Sequence, residues 1–170
     1  TAAALEPNRS ILRSYLAKGF DHARDVDNAE RELALAKQLD AGDPTPWLYS
    51  ALILRQQLHY NEAVAELEES VERNDNRRVY RSRLLLDQDQ AVRSASLATI
   101  YRNVGMNEVS VREAARSVTY DYANHSAHQF MAESFDALLD PTRFNLRYET
   151  VWFNELLLAN LLSPVGGTPL

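Results

Sequence analysis

The sequence predicts an all-α protein built from antiparallel helix pairs, and three observations carry that expectation. From Trp47 to Val104 there is neither glycine nor proline, yet apolar residues recur at spacings of three and four. Val64, Ala65, Leu67 and Val71 make one such stripe, and Leu97, Ile100, Tyr101 and Val104 another. The period-two alternation of a half-buried strand is sustained nowhere. The breakers then set the boundaries. Asp43-Pro44 and Asp140-Pro141 each place a capping carboxylate before a residue with helical φ and no N–H to leave unsatisfied. Asp27 with Glu30 has the shape of a capping box, and Gly105 is a helix stop after an apolar run. Together these signals place helices near 8–23, 27–40, 44–58, 61–74, 88–104, 107–121, 125–138 and 141–162. The tail from Ser163 through Pro164, Gly166, Gly167 and Pro169 reads as a linker.

Composition narrows the function classes. The 170 residues are 45% hydrophobic and 25% charged, the balance of a chain that buries a core. With no cysteine, disulfides, thiolate metal sites and cysteine nucleophiles are excluded. A net charge of -6 opposes general attraction to nucleic acid or anionic membrane, and no run approaches the roughly 18 apolar residues of a spanning helix. The opening Thr-Ala-Ala-Ala carries neither Met nor a signal pattern, so a processed chain or a piece of a longer polypeptide is expected.

Helices joined by short turns call for a search for self-similarity at a fixed period. Ala29, Leu33 and Ala36 align with Ala63, Leu67 and Ser70 at an offset of 34 residues, and Ala17 and Phe20 align with Ala51 and Leu54 at the same offset. The pattern resembles the tetratricopeptide repeat, a 34-residue antiparallel helix pair. The best unit is Pro44–Arg77, with Trp47 at the first aromatic position, Ala51 at the small position and Leu58 where glycine is usual. Ser10–Asp43 matches more weakly, with Arg13 in the aromatic's place. Ala91–Asn124 fits through Leu97, Ala98, Tyr101, Gly105, Ser110, Ala114 and Ser117, and 125–139 is a partial fourth unit through Met131, Ala132 and Phe135. The resemblance implies one domain over 1–162, a short right-handed solenoid of stacked pairs with a C-terminal capping helix. Residues 78–90 interrupt the frame and are expected to form an extra helical turn and a loop. Within them, Arg81–Asp89 resembles stretches of large multidomain bacterial cell-envelope proteins, which favours a periplasmic setting over a cytoplasmic one.

The sequence carries few of the residue patterns that catalysis needs. There is no glycine-rich phosphate loop and no Gly-x-Ser-x-Gly elbow. His125 and His128 share a helix face and admit a zinc-binding alternative with Asp121, but with no HExxH-like helix the favoured reading is two partly exposed imidazoles at a helix start. Glu66, Glu68 and Glu69 read as a solvated face. Arg73, Arg77, Arg78, Arg81, Arg83 and Arg93 form a basic cluster surrounded by enough Glu and Asp for local ion pairing, and Tyr80 is the one aromatic among them. No enzyme activity, cofactor or nucleic-acid partner is expected.

The resemblance places the binding surface on the first helix of each unit. By the family's inward positions, Thr45, Leu48, Leu52, Arg55 and Gln56 line the groove in the second unit. Val92, Ala95, Thr99, Arg102 and Asn103 line it in the third. A mixed apolar and Arg/Gln/Asn surface suits an extended peptide or a helix. The carboxylate clamp of chaperone-tail binders is not supported, because Ser14, Lys18, Val92 and Ser96 stand at its positions. The function expected is a non-catalytic scaffold for a protein or peptide partner within a larger bacterial protein. Trp152, Phe153, Leu156 and Leu157 give the last helix an apolar face for capping, homodimerisation or docking, and a metal- or ligand-sensing role is the remaining alternative.

Overall fold

The computed structural model describes residues 2–79 and 82–138. Its helices are α1 (Ala2–Leu5), α2 (Ser10–His22), α3 (Val26–Leu39), α4 (Pro44–Gln56), α5 (Tyr60–Glu72), α6 (Arg83–Asn103), α7 (Asn107–Tyr120) and α8 (His125–Asp136). A 3-10 segment, Asn74–Val79, precedes α6. No strand occurs among the described residues. The chain divides into two compact units, Thr1–Arg93 and Ser94–Leu170, with the division inside α6. The expected helix 141–162, its face of Trp152, Phe153, Leu156 and Leu157, the linker 163–170, and Tyr80 and Arg81 lie outside the described residues.

The 34-residue frame is visible in the helix starts. α2, α4 and α8 begin at the first position of their predicted units, and α3, α5 and α7 each begin at the seventeenth. The small residues of the repeat are fully buried among the helices. Ala17, Ala29, Ala36, Ala51, Ala63 and Ser70 have no exposed surface in the first unit, nor have Ser110, Ala114, Ser117 and Ala132 in the second. A longer side chain at any of them would hold the helices apart. In the first unit, Ala17, Ala29, Leu33 and Ile53 form a core cluster flanked by Phe20, Val26 and Tyr49. In the second, Ala98, Ala114, Met131 and Ala132 pack with Ala115, Val118 and Phe135.

Three inter-helix turns share one geometry. Arg24, Leu58 and Gly105 all occupy the fifteenth position of a unit, and all have positive φ, at 61°, 66° and 81°. In each, the backbone N–H of that residue and of the one after it return to the preceding helix: Arg24 to Asp21 and Asp25 to Phe20, Leu58 to Arg55 and His59 to Leu54, Gly105 to Arg102 and Met106 to Tyr101. This Schellman pattern satisfies two terminal carbonyls per helix. Glycine meets the left-handed requirement without strain only at Gly105; Arg24 and Leu58 meet it with a β-carbon.

The caps and boundaries correct several sequence expectations. Asp43 caps α4 as expected, its carboxylate accepting the Thr45 N–H at 2.9 Å. The cap of α3 is Asp25 rather than Asp27, because Asp25 follows the left-handed Arg24; it accepts the Asn28 N–H at 3.3 Å and the Asn28 side-chain amide at 2.7 Å. The short helix α1 was not anticipated. The insertion is mostly helix: α6 begins at Arg83, five residues before the expected start, with the Ser82 hydroxyl accepting the Leu85 N–H at 3.4 Å. Of its three successive leucines only Leu86 is buried, in helical register with Gln90 and Arg93.

Candidate functional site

The candidate site is the pair of first helices, α2 and α4, of the first compact unit. In the first unit, α4 presents Leu48, Leu52 and Arg55 half-buried and Gln56 exposed, on one side of the helix by their three- and four-residue spacing. Among the described residues Arg55 has no ion-pair partner, and α4 contains no acidic residue. Thr45, at the start of the same row, is buried and faces the Arg77 guanidinium at 3.5 Å, so it belongs to the interior.

The neighbouring first helix adds Lys18, which stands at a clamp position of the repeat, and Tyr15, which sequence spacing did not single out. Tyr15 of α2 is 52% exposed, and its ring lies 6.3 Å from that of Tyr49 on α4 at an interplanar angle of 59°. The Lys18 ammonium sits 5.7 Å from the Tyr49 ring centroid. Burial, and secondarily the nearby Tyr15 phenol, push the Tyr49 hydroxyl above its usual value near 10. The first-helix row of this unit thus combines two aromatic rings, two leucines and two cations.

The residues expected from the third unit are placed differently from one another. Val92 is 49% exposed. In the second compact unit, Ala95 is buried, the Thr99 hydroxyl donates to its own helix at Ala95 O at 3.0 Å, and Asn103 is exposed. Arg102 forms an ion pair with Glu133 of α8, so its guanidinium is engaged within the protein.

The basic cluster is used internally wherever its side chains are described. Arg93 is 2% exposed; its guanidinium donates to the Ser70 hydroxyl at 2.8 Å and to Asn74 Oδ1 at 2.6 Å. Ser70 in turn donates to Pro44 O at 2.8 Å, and Asn74 to Leu86 O at 3.1 Å. One connected set of bonds therefore ties α4, α5, the 3-10 segment and the start of α6. Arg73 stacks on the Trp47 ring at 4.5 Å, bonds to Ala41 O at 2.9 Å and pairs with Glu69. Arg77 is buried 3.8 Å from Asp89, and Arg83 pairs with Asp87 at 3.0 Å. The two histidines of α8 also separate: His125 is exposed, whereas His128 is buried, with Nε2 2.8 Å from Tyr122 O and its ring edge-on to Tyr122 at 5.1 Å.

Two solved structures share this architecture. The crystal structure of the APC/C hetero-tetramer Cut9–Hcn1 superposes with a TM-score of 0.69 at 15% identity, over 96% of this chain and 29% of that chain. The PilF structure from Pseudomonas aeruginosa superposes with a TM-score of 0.64 at 16% identity, over 94% of this chain and 72% of that chain. This chain thus spans less than a third of the Cut9–Hcn1 chain it matches. Both are tetratricopeptide-repeat proteins, and the fold of this chain is a tetratricopeptide-like all-α helical repeat. No family model and no curated protein matches the sequence. No helix among the described residues is long and apolar enough to cross a membrane.

Proposed function

We propose that the protein is a non-catalytic scaffold that binds an extended peptide or helix of a protein partner along its first-helix row, centred on Leu48, Leu52, Arg55 and Gln56 of α4. The observation that supports this most is the composition of that row. Tyr15, Leu48, Tyr49 and Leu52 supply apolar and aromatic area, while Lys18 and Arg55 supply charge-assisted donors on the same helices. Apolar anchors with a few oriented donors are what a peptide backbone and its side chains require. Val92, on the part of α6 that belongs to the same compact unit, extends the reading.

A peptide-display selection against the protein tests this reading. Selected peptides should lose at least about tenfold in affinity on Arg55→Ala, equivalent to about 1.4 kcal/mol, and more with Leu52→Ala added, at nearly unchanged melting temperature. Amide resonances of α2 and α4 should shift on binding. Peptides that bind the double variant as tightly as the parent would move the site elsewhere.

A further inference from the structure

The first unit carries a second recess, about 400 Å3, between α3, α4 and α5. Ser50, Ile53 and Leu54 of α4 line it, and at 3.6 residues per turn they lie on the opposite side of that helix from Leu48, Leu52 and Arg55. Its floor is Leu33 and Ile53, only 2% and 3% exposed. Its rim carries Glu30 from α3 and Glu62 and Glu66 from α5. The volume lies within the roughly 300–1,000 Å3 range of ligand pockets.

The rim already holds one cation of this chain. Lys37 Nζ pairs with Glu66, lies 3.3 Å from the Ser50 hydroxyl and sits over the Trp47 ring at 4.2 Å. An alkyl stem against the helices with its charge at a carboxylate is therefore a geometry this surface supports. Glu30 and Glu62 have no basic partner among the described residues; Glu30 accepts only the Gln57 amide, at 3.0 Å. α5 as a whole carries Glu62, Glu66, Glu68, Glu69 and Glu72 and no Lys or Arg.

We propose that this recess is a second docking site, distinct from the first-helix row, and that it takes an arginine side chain of a partner protein. The three-carbon stem would lie on Leu33 and Ile53, and the guanidinium would meet the Glu30 and Glu62 carboxylates. A planar guanidinium is favoured over an ammonium because it is less strongly hydrated and offers five donors to carboxylates arriving from two helices.

Nα-acetyl-arginine amide, with its neutral isostere Nα-acetyl-citrulline amide as control, is the probe, followed by amide chemical shifts. The arginine compound should bind with a dissociation constant of about 1–10 mM, the range for a ligand of its size. Its shifts should be confined to α3, α5 and the Ser50–Leu54 side of α4. The citrulline compound should bind at least about tenfold more weakly. Glu30→Gln with Glu62→Gln, both exposed and isosteric, should abolish the difference between the two while leaving first-helix peptides bound as before. Equal binding of arginine and citrulline, shifts mapping elsewhere, or an unaltered preference in the double variant would each overturn the site without touching the first-helix reading.

Discussion

Position fifteen of the repeat shows how much a single residue's backbone preference decides. A β-carbon in the left-handed region costs about 1–2 kcal/mol, and Leu58, 68% exposed, has little packing to offset it. Arg24→Gly and Leu58→Gly should each stabilise the protein by about 0.5–1 kcal/mol after the entropy of glycine is subtracted, raising the melting temperature by about 2 °C. Gly105→Ala should do the reverse: a β-carbon there meets no atom within 4 Å, so its φ of +81° alone sets the penalty. Differential scanning calorimetry of the three variants checks both signs. Gly105 is legible in the sequence because glycine advertises the conformation. That Arg24 adopts it is not, because an arginine carries no such signal and the turn is imposed by the helices on either side.

Arg93 is the opposite case, a residue whose meaning lay wholly in tertiary structure. In the sequence it is one of six arginines in a basic cluster; folded, it is buried between Ser70 and Asn74. Arg93→Met should cost about 3 kcal/mol, because the partners Ser70 and Asn74 lose a charge-assisted donor inside the protein. Urea unfolding measures it, and a loss under 1 kcal/mol would place the burden on the remaining bonds. Tyr49 adds a pH dependence. Its folded-state hydroxyl titrates above the usual value near 10, so the unfolded chain ionises first and stability falls as pH rises past 10. Tyr49→Phe should flatten that fall between pH 9 and 11.

Between elements, the repeat works through small residues at fixed places. Ala63 has no exposed surface on α5, and Ala63→Leu should cost about 1–3 kcal/mol by forcing helices apart; an unchanged melting temperature would show the helices can part freely. The extension of α6 was harder to read. Leu84, Leu85 and Leu86 are equivalent as letters, and the weak cap Ser82 is the only start signal. Which leucine is buried follows from helical phase relative to Gln90 and Arg93, and that phase is set by bonds from residues far back in the chain.

For the whole molecule, if the segment 141–162 caps the last repeat, truncation after Asp140 should lower stability and promote aggregation, since large apolar side chains such as Trp152, Phe153, Leu156 and Leu157 contribute about 1.5–3 kcal/mol each when buried. Light scattering of the truncated and full chains would also show whether that segment sets the oligomeric state. By itself the sequence determined the all-α class, the 34-residue period, the helix count over 10–138 and most starts, because helical periodicity and the Asp43-Pro44 cap act through contacts close along the chain and the small residues recur at a fixed offset. Only the tertiary structure decided that Arg93 and Arg77 are interior, that Arg102 is held by Glu133, that Tyr15 joins the first-helix row, and that a carboxylate-rimmed recess lies behind α4. Each of these depends on which side chains meet across 19 to 34 positions of sequence, and spacing along one helix carries no information about what another helix brings to it.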